Sequence, residues 1–176
     1  MFTDSRFDDT ASQGLTRLAV DPFEIEREAV IAMLERERRS VLASMIGLAM
    51  LAAGVAMLPN AAAMTVLLLL RAASFVYTHK AVGELERVMR ARKPAQSARR
   101  VVLFAMCLTG ITLALMLWPP PPDSSVVAVN LVRGVVVIVV TLIAVTLAAL
   151  PVARDAMLAS FWLTVLGMII LHPGVQ

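Results

Sequence analysis

Five long apolar stretches of this sequence, residues 41–58, 61–78, 101–118, 126–150 and 156–171, contain no aspartate or glutamate, and Arg71 and Arg133 are their only basic residues. A helix of about 20 apolar residues crosses the roughly 30 Å hydrocarbon core of a bilayer, with about 17–25 tolerated. The first three stretches just meet that length, the fourth is long enough to tilt or project, and the last is short. Charged residues make up 16% of the chain and hydrophobic residues 59%, against about 25% and 45–50% in ordinary soluble domains. The charges are gathered in blocks between the stretches. This excludes a disordered chain and a water-soluble enzyme, and it predicts an all-α integral membrane protein with about five spans. Some forty polar residues rich in acids precede the first span, so it is expected to remain as an anchor and not to be a cleaved signal peptide.

The basic residues set the expected orientation. Six arginines lie in the N-terminal tail, seven Lys or Arg lie between the second and third spans, and Arg154 lies between the fourth and fifth. The other side, Pro59-Asn60, residues 119–125 and the tail from His172, has none. The positive-inside rule then puts the N-terminus in the cytoplasm and the C-terminus outside. The same asymmetry accounts for the net charge of +3 without nucleic acid as a partner. The expected location is a membrane that the chain crosses several times.

Residues 1–20 lack periodicity and read as a flexible cytoplasmic tail. A cytoplasmic amphipathic helix follows over 21–40, with Asp21 as N-cap, Pro22 in the first turn and Glu24 at the third position. Phe23, Val30, Met33 and Leu34 form its apolar stripe, and Glu35–Arg39 is spaced as an i,i+4 ion pair. With no Gly or Pro between Phe23 and Ile46, the helix is expected to run unbroken into the first span. It is expected to rest on the inner headgroups or to engage a second copy or a cytoplasmic partner. A basic helix over 79–93 carries Val82, Leu85 and Met89 on one face, pairs Glu86 with Arg90 and stops at Pro94. Arg87, Arg90, Arg92, Lys93, Arg99 and Arg100 are expected to contact anionic inner-leaflet lipid, each contributing about 1 kcal/mol. Leu58-Pro59-Asn60 predicts a tight turn, and Trp118 followed by four prolines predicts a stiff elbow with an interfacial anchor.

Intramembrane charges cost roughly 2.5–3.5 kcal/mol on insertion scales, so each is a functional candidate. Arg71 shares a helix face with Ser74 and Thr78. Asn130 and Arg133 share one with Gly134, Val137 and Thr141, and Ser160, Thr164 and Gly167 form a third stripe. Such faces are expected where membrane helices pack. Arg71, Ser74, Asn130 and Arg133 are accordingly the candidate ligand-binding residues, for an anion or lipid headgroup. No metal or other cofactor is expected: Cys107 is the single cysteine, and His79 and His172 fall on opposite membrane faces. No nucleophile elbow, phosphate-cradling glycine loop or zinc-protease helix occurs, so no catalytic residues are assigned.

The layout resembles the N-terminal polytopic input regions of bacterial sensor histidine kinases and diguanylate cyclases. The resemblance runs over about residues 24–172 and rests on Glu37-Arg38-Arg39-Ser40 before the first span and Leu69-Leu70-Arg71-Ala72-Ala73-Ser74 in the second. The basic connection, Trp118-Pro119-Pro120 at an outer loop and Leu150-Pro151 at an inner turn complete it. It implies a sensory module, non-catalytic in itself, that passes a helix displacement to a kinase or cyclase output domain. Members of that family have a sixth span before the output domain. The sequence here stops at Gln176 after five, so it is expected to be the front end of a longer protein or a stand-alone relative. Two other readings stand beside this one: a small scaffold or accessory subunit of an inner-membrane complex docking through residues 21–40, and a small transporter or channel subunit.

Overall fold

A computed structural model describes residues 22–39, 41–121 and 123–171. The tail over 1–20, the proposed cap Asp21 and His172 lie outside the described residues. Among them there is no strand. The order is α1 (Pro22–Arg39), α2 (Val41–Ala56), α3 (Ala62–Arg90), α4 (Gln96–Leu115), α5 (Val126–Thr146), a 3-10 turn (Leu147–Ala149) and α6 (Pro151–Leu171). Helices α3, α4, α5 and α6 are long and apolar enough to cross a membrane, and α1 with α2 makes a fifth such unit if that bent pair is one span. The chain therefore reads as a multi-pass membrane protein.

The segment from Pro22 to Ala56 is not the unbroken helix expected. Val30–Arg36 and Val41–Ala56 meet at 47°. The cause lies in the stripe: Val30, Met33 and Leu34 are buried in one cluster with Ala81, Val82, Leu85 and Met89 of α3 and Leu147 of the 3-10 turn. Docking on that surface draws α1 off the line of α2. Val30, Met33 and Leu34 of the expected stripe thus face the chain itself; the side chain of Phe23 lies outside the described ones. Helix α2 has 16 residues, shorter than the 41–58 span expected, because the turn before Pro59 already begins at Met57, with Asn60 at φ 50°.

The second span and the basic helix after it are one element. Helix α3 runs 29 residues, about 43 Å at 1.5 Å per residue, because nothing between Thr78 and Arg90 breaks it. It ends in a turn with Arg92 at φ 53°, just before Pro94. Helix α4 starts at Gln96, earlier than the expected 101, and ends at Leu115. Helix α5 opens with Ser125 as N-cap, its Oγ accepting from the Ala128 N–H at 3.1 Å. It stops at Thr146 and not at 150: a 3-10 turn follows, and Leu150, which the next residue Pro151 disfavours in the helical region, sits at φ −123°, ψ 71°. Pro151 then supplies the first residue of α6, which is 21 residues long and not the short 156–171 segment expected.

Besides the extensive contact of α3 with α4, two pairings hold the bundle. Helices α4 and α6 approach most closely at Gly110, where an added Cβ would sit 2.3 Å from the Met157 carbonyl oxygen. There Ser160 Oγ donates to the Cys107 carbonyl at 3.1 Å. Helices α2 and α5 pack through Gly54 against Val132 and Gly47 against Val139. Without water to drive association in a bilayer, such close backbone approaches supply the van der Waals contact that does. This second pairing also overturns an expectation. Alpha-5 turns Ala128, Val132, Val135 and Val136 inward, so the stripe of Asn130, Arg133, Gly134, Val137 and Thr141 is exposed and is not a packing face within the chain.

Candidate functional site

Helix α3 brings its polar stripe to the middle of the bundle. Arg71 is 6% exposed and Ser74 is 1% exposed. The Arg71 Nη1 and the Ser74 Oγ are both buried without a hydrogen-bond partner. Among the described residues no carboxylate pairs with the Arg71 guanidinium. One helical turn further on, the Thr78 and Thr109 hydroxyls share a hydrogen bond of 3.0 Å between α3 and α4, and Thr78 Oγ1 lies 3.4 Å from the Ala105 carbonyl oxygen.

A cavity of about 30 Å³ adjoins Arg71. Its polar wall comes from Arg71, Thr78 and His79 of α3, Ser44 of α2 and Thr109 of α4, and its apolar wall includes Phe75, Met106 and Ile143. His79 lies along the Phe75 ring, centroids 6.4 Å apart. Ser74 is next to the cavity but not in its wall. Ser44 and Thr109 were not singled out in the sequence. Ser44 is the one hydroxyl residue of its apolar stretch and Thr109 is followed three residues on by Thr112, and the pattern does not say which of these faces a neighbour.

Asn130 and Arg133 do not join this group. Both are exposed on α5, whose one contribution to the cavity wall is Ile143. The four candidates therefore divide: Arg71 and Ser74 lie inside the bundle, while Asn130 and Arg133 lie on its periphery.

The far end of α3 carries a second polar arrangement. Arg90 Nε donates to Glu86 Oε1 at 3.0 Å, and the Arg90 guanidinium also engages Glu35 of α1. Glu35 was expected to pair with Arg39, whose side chain lies outside the described ones; its partner among the described side chains, Arg90, is on another helix. The hydrogen bonds that Arg90 donates to Glu86 and then to Glu35 raise its pKa above the usual arginine value. Glu24 bridges Arg27 at 2.8 Å and Arg92 at 3.7 Å, tying α1 to the turn after α3. Of the six residues expected to meet lipid headgroups, Arg87, Arg90 and Arg92 thus have acidic partners within the chain. Arg87 is exposed and lies 3.7 Å from Glu84, and Lys93, Arg99 and Arg100 are exposed.

This arrangement can hold a small anion beside Arg71 and can couple α3 to α1. Among the described residues no three His, Cys, Asp or Glu side chains are grouped so as to hold a metal ion. No family model, curated protein or solved structure matches this chain.

Proposed function

We propose that the chain is the sensory input module of a bacterial signal-transduction protein in the inner membrane, with a cytoplasmic N-terminus, an external C-terminus and the α1–α2 pair serving as a fifth span. One observation carries this reading. Helix α3 is a single rod with an unpaired, buried arginine beside a cavity in its middle and the docking surface for α1 at its end. A ligand that binds one packing of α3 better than another shifts the balance between them by its difference in affinity. The shift at Arg71 then reaches α1 through Leu85, Glu86, Met89 and Arg90. The module has no catalytic role of its own; kinase or cyclase chemistry belongs to an output partner or domain.

The test is a spin-label distance between Arg36→Cys on α1 and Arg100→Cys on α4, in a Cys107→Ser background reconstituted in vesicles. Both chosen positions are exposed. Adding Arg71→Leu is expected to shift the distance distribution. Superimposable distributions with and without Arg71→Leu would sink the coupling.

A further inference from the structure

We propose that the Arg71 cavity binds a halide-sized inorganic monoanion, an inference that rests on reading Arg71 as the ligand site. The sign of the charge comes first. Arg71 is almost wholly buried, its Nη1 has no acceptor, and no carboxylate pairs with it among the described residues. The next acid along α3 is Glu84, thirteen residues on, about 20 Å away along the axis. A buried charge with no partner is strongly unfavourable, so an occupant that neutralises it gains a large differential affinity.

Size then selects among anions. One water needs roughly 10–15 Å³ of such space, and the cavity offers about 30 Å³. Space on that scale fits a monatomic anion better than a phosphate or carboxylate. The wall itself favours weakly hydrated, singly charged ions, since Phe75, Val82, Met106 and Ile143 offer nothing to a second charge. Donors are the Arg71 guanidinium and the Ser44 hydroxyl from α2, with the Thr78–Thr109 pair at the border. An ion held there touches walls from α2, α3, α4 and α5, so its presence sets the spacing of α3 against its neighbours.

The experiment is thermal unfolding of the full chain in dodecylmaltoside micelles, in sodium bromide or sodium gluconate of equal ionic strength. Bromide is expected to raise Tm saturably and gluconate to leave it unchanged; ligand that binds only the folded state must stabilise it. Arg71→Gln is expected to abolish the bromide increment. Ser44→Ala, which keeps the charge, is expected to weaken bromide binding by about tenfold, the loss of one hydrogen bond to a charged group. Chloride NMR line broadening by the unmodified chain gives a readout that does not depend on any variant folding. Equal shifts in bromide and gluconate, an increment that survives in Arg71→Gln, or no line broadening would overturn the proposal. So would stabilisation through Arg71 by added phosphatidylglycerol but not by bromide, which would make the occupant a lipid phosphate. Halide binding with an unchanged α1 distance would leave this site standing and defeat only the sensory reading.

Discussion

Replacing Gly110 with alanine tests the closest contact in the bundle. The new Cβ would lie 2.3 Å from the Met157 carbonyl oxygen, 2.3 Å from Ser160 Oγ and 3.1 Å from the Phe161 nitrogen, where ordinary contact is 3.4–4 Å. The serine can rotate; the carbonyl oxygen and amide nitrogen belong to the α6 backbone and cannot. The two helices must therefore separate by about 1 Å, and overpacking of this kind costs about 1–3 kcal/mol. The Ser160–Cys107 bond, already 3.1 Å, is then stretched, and an interhelical bond of this type contributes about 0.6 kcal/mol. The better helix propensity of alanine returns at most about 1 kcal/mol. The net loss is about 2 kcal/mol, roughly thirtyfold in the unfolding equilibrium. Gly134 is the control, because an added Cβ there meets nothing within 4 Å; Gly134→Ala should be neutral or mildly stabilising. The assay is detergent-titrated unfolding, with the alkylation rate of Cys107 as a local probe of the α4–α6 contact. Gly110→Ala within about 0.5 kcal/mol of the parent, or equal losses from both glycines, would refute the close approach.

Three further outcomes follow from the packing. Leu34→Ala, at a fully buried α1 position, is expected to cost about 2–5 kcal/mol and to raise hydrogen exchange over residues 24–36; unchanged exchange would mean that α1 is held by something other than its stripe. Thr78→Val and Thr109→Val are expected to show a coupling of about 0.6 kcal/mol in a double-mutant cycle, whereas strict additivity in unfolding measurements would deny their shared hydrogen bond. Asn130→Leu and Arg133→Leu, on the exposed face of α5, should each change stability by no more than about 0.5 kcal/mol. A loss above 1 kcal/mol for either in the micelle assay would instead show that this face is covered.

The α1 and α3 segments show how far local pattern reaches. The Val30, Met33, Leu34 stripe and the Val82, Leu85, Met89 stripe were each legible as apolar faces, the first expected on headgroups, a second copy or a partner, the second beside the membrane. In the fold they cover one another. Hydrophobic period tells that a face must be buried; it carries no information about its partner fifty residues away. Glu35 is a similar case in charge: local spacing points only to Arg39, and nothing in it announces Arg90, which α3 brings to the same carboxylate.

The candidate site divides along the same line. That Arg71 and Arg133 each sit in an acid-free apolar stretch is a matter of sequence alone, as are the helical class and the approximate positions of the turns at Pro59, Pro94, Pro119 and Pro151. Those features depend on composition and on proline and glycine chemistry, which act within a few residues. Which arginine turns inward was decided by tertiary packing. Gly54 and Gly47 let α2 lie close against the valine face of α5, and that choice rotates Asn130 and Arg133 outward. Arg71, on α3, is enclosed because α2, α4 and α5 all supply walls around it. A helix has no inside until its neighbours are in place, so a single strand of sequence can name its polar residues but not the side of the bundle on which they meet.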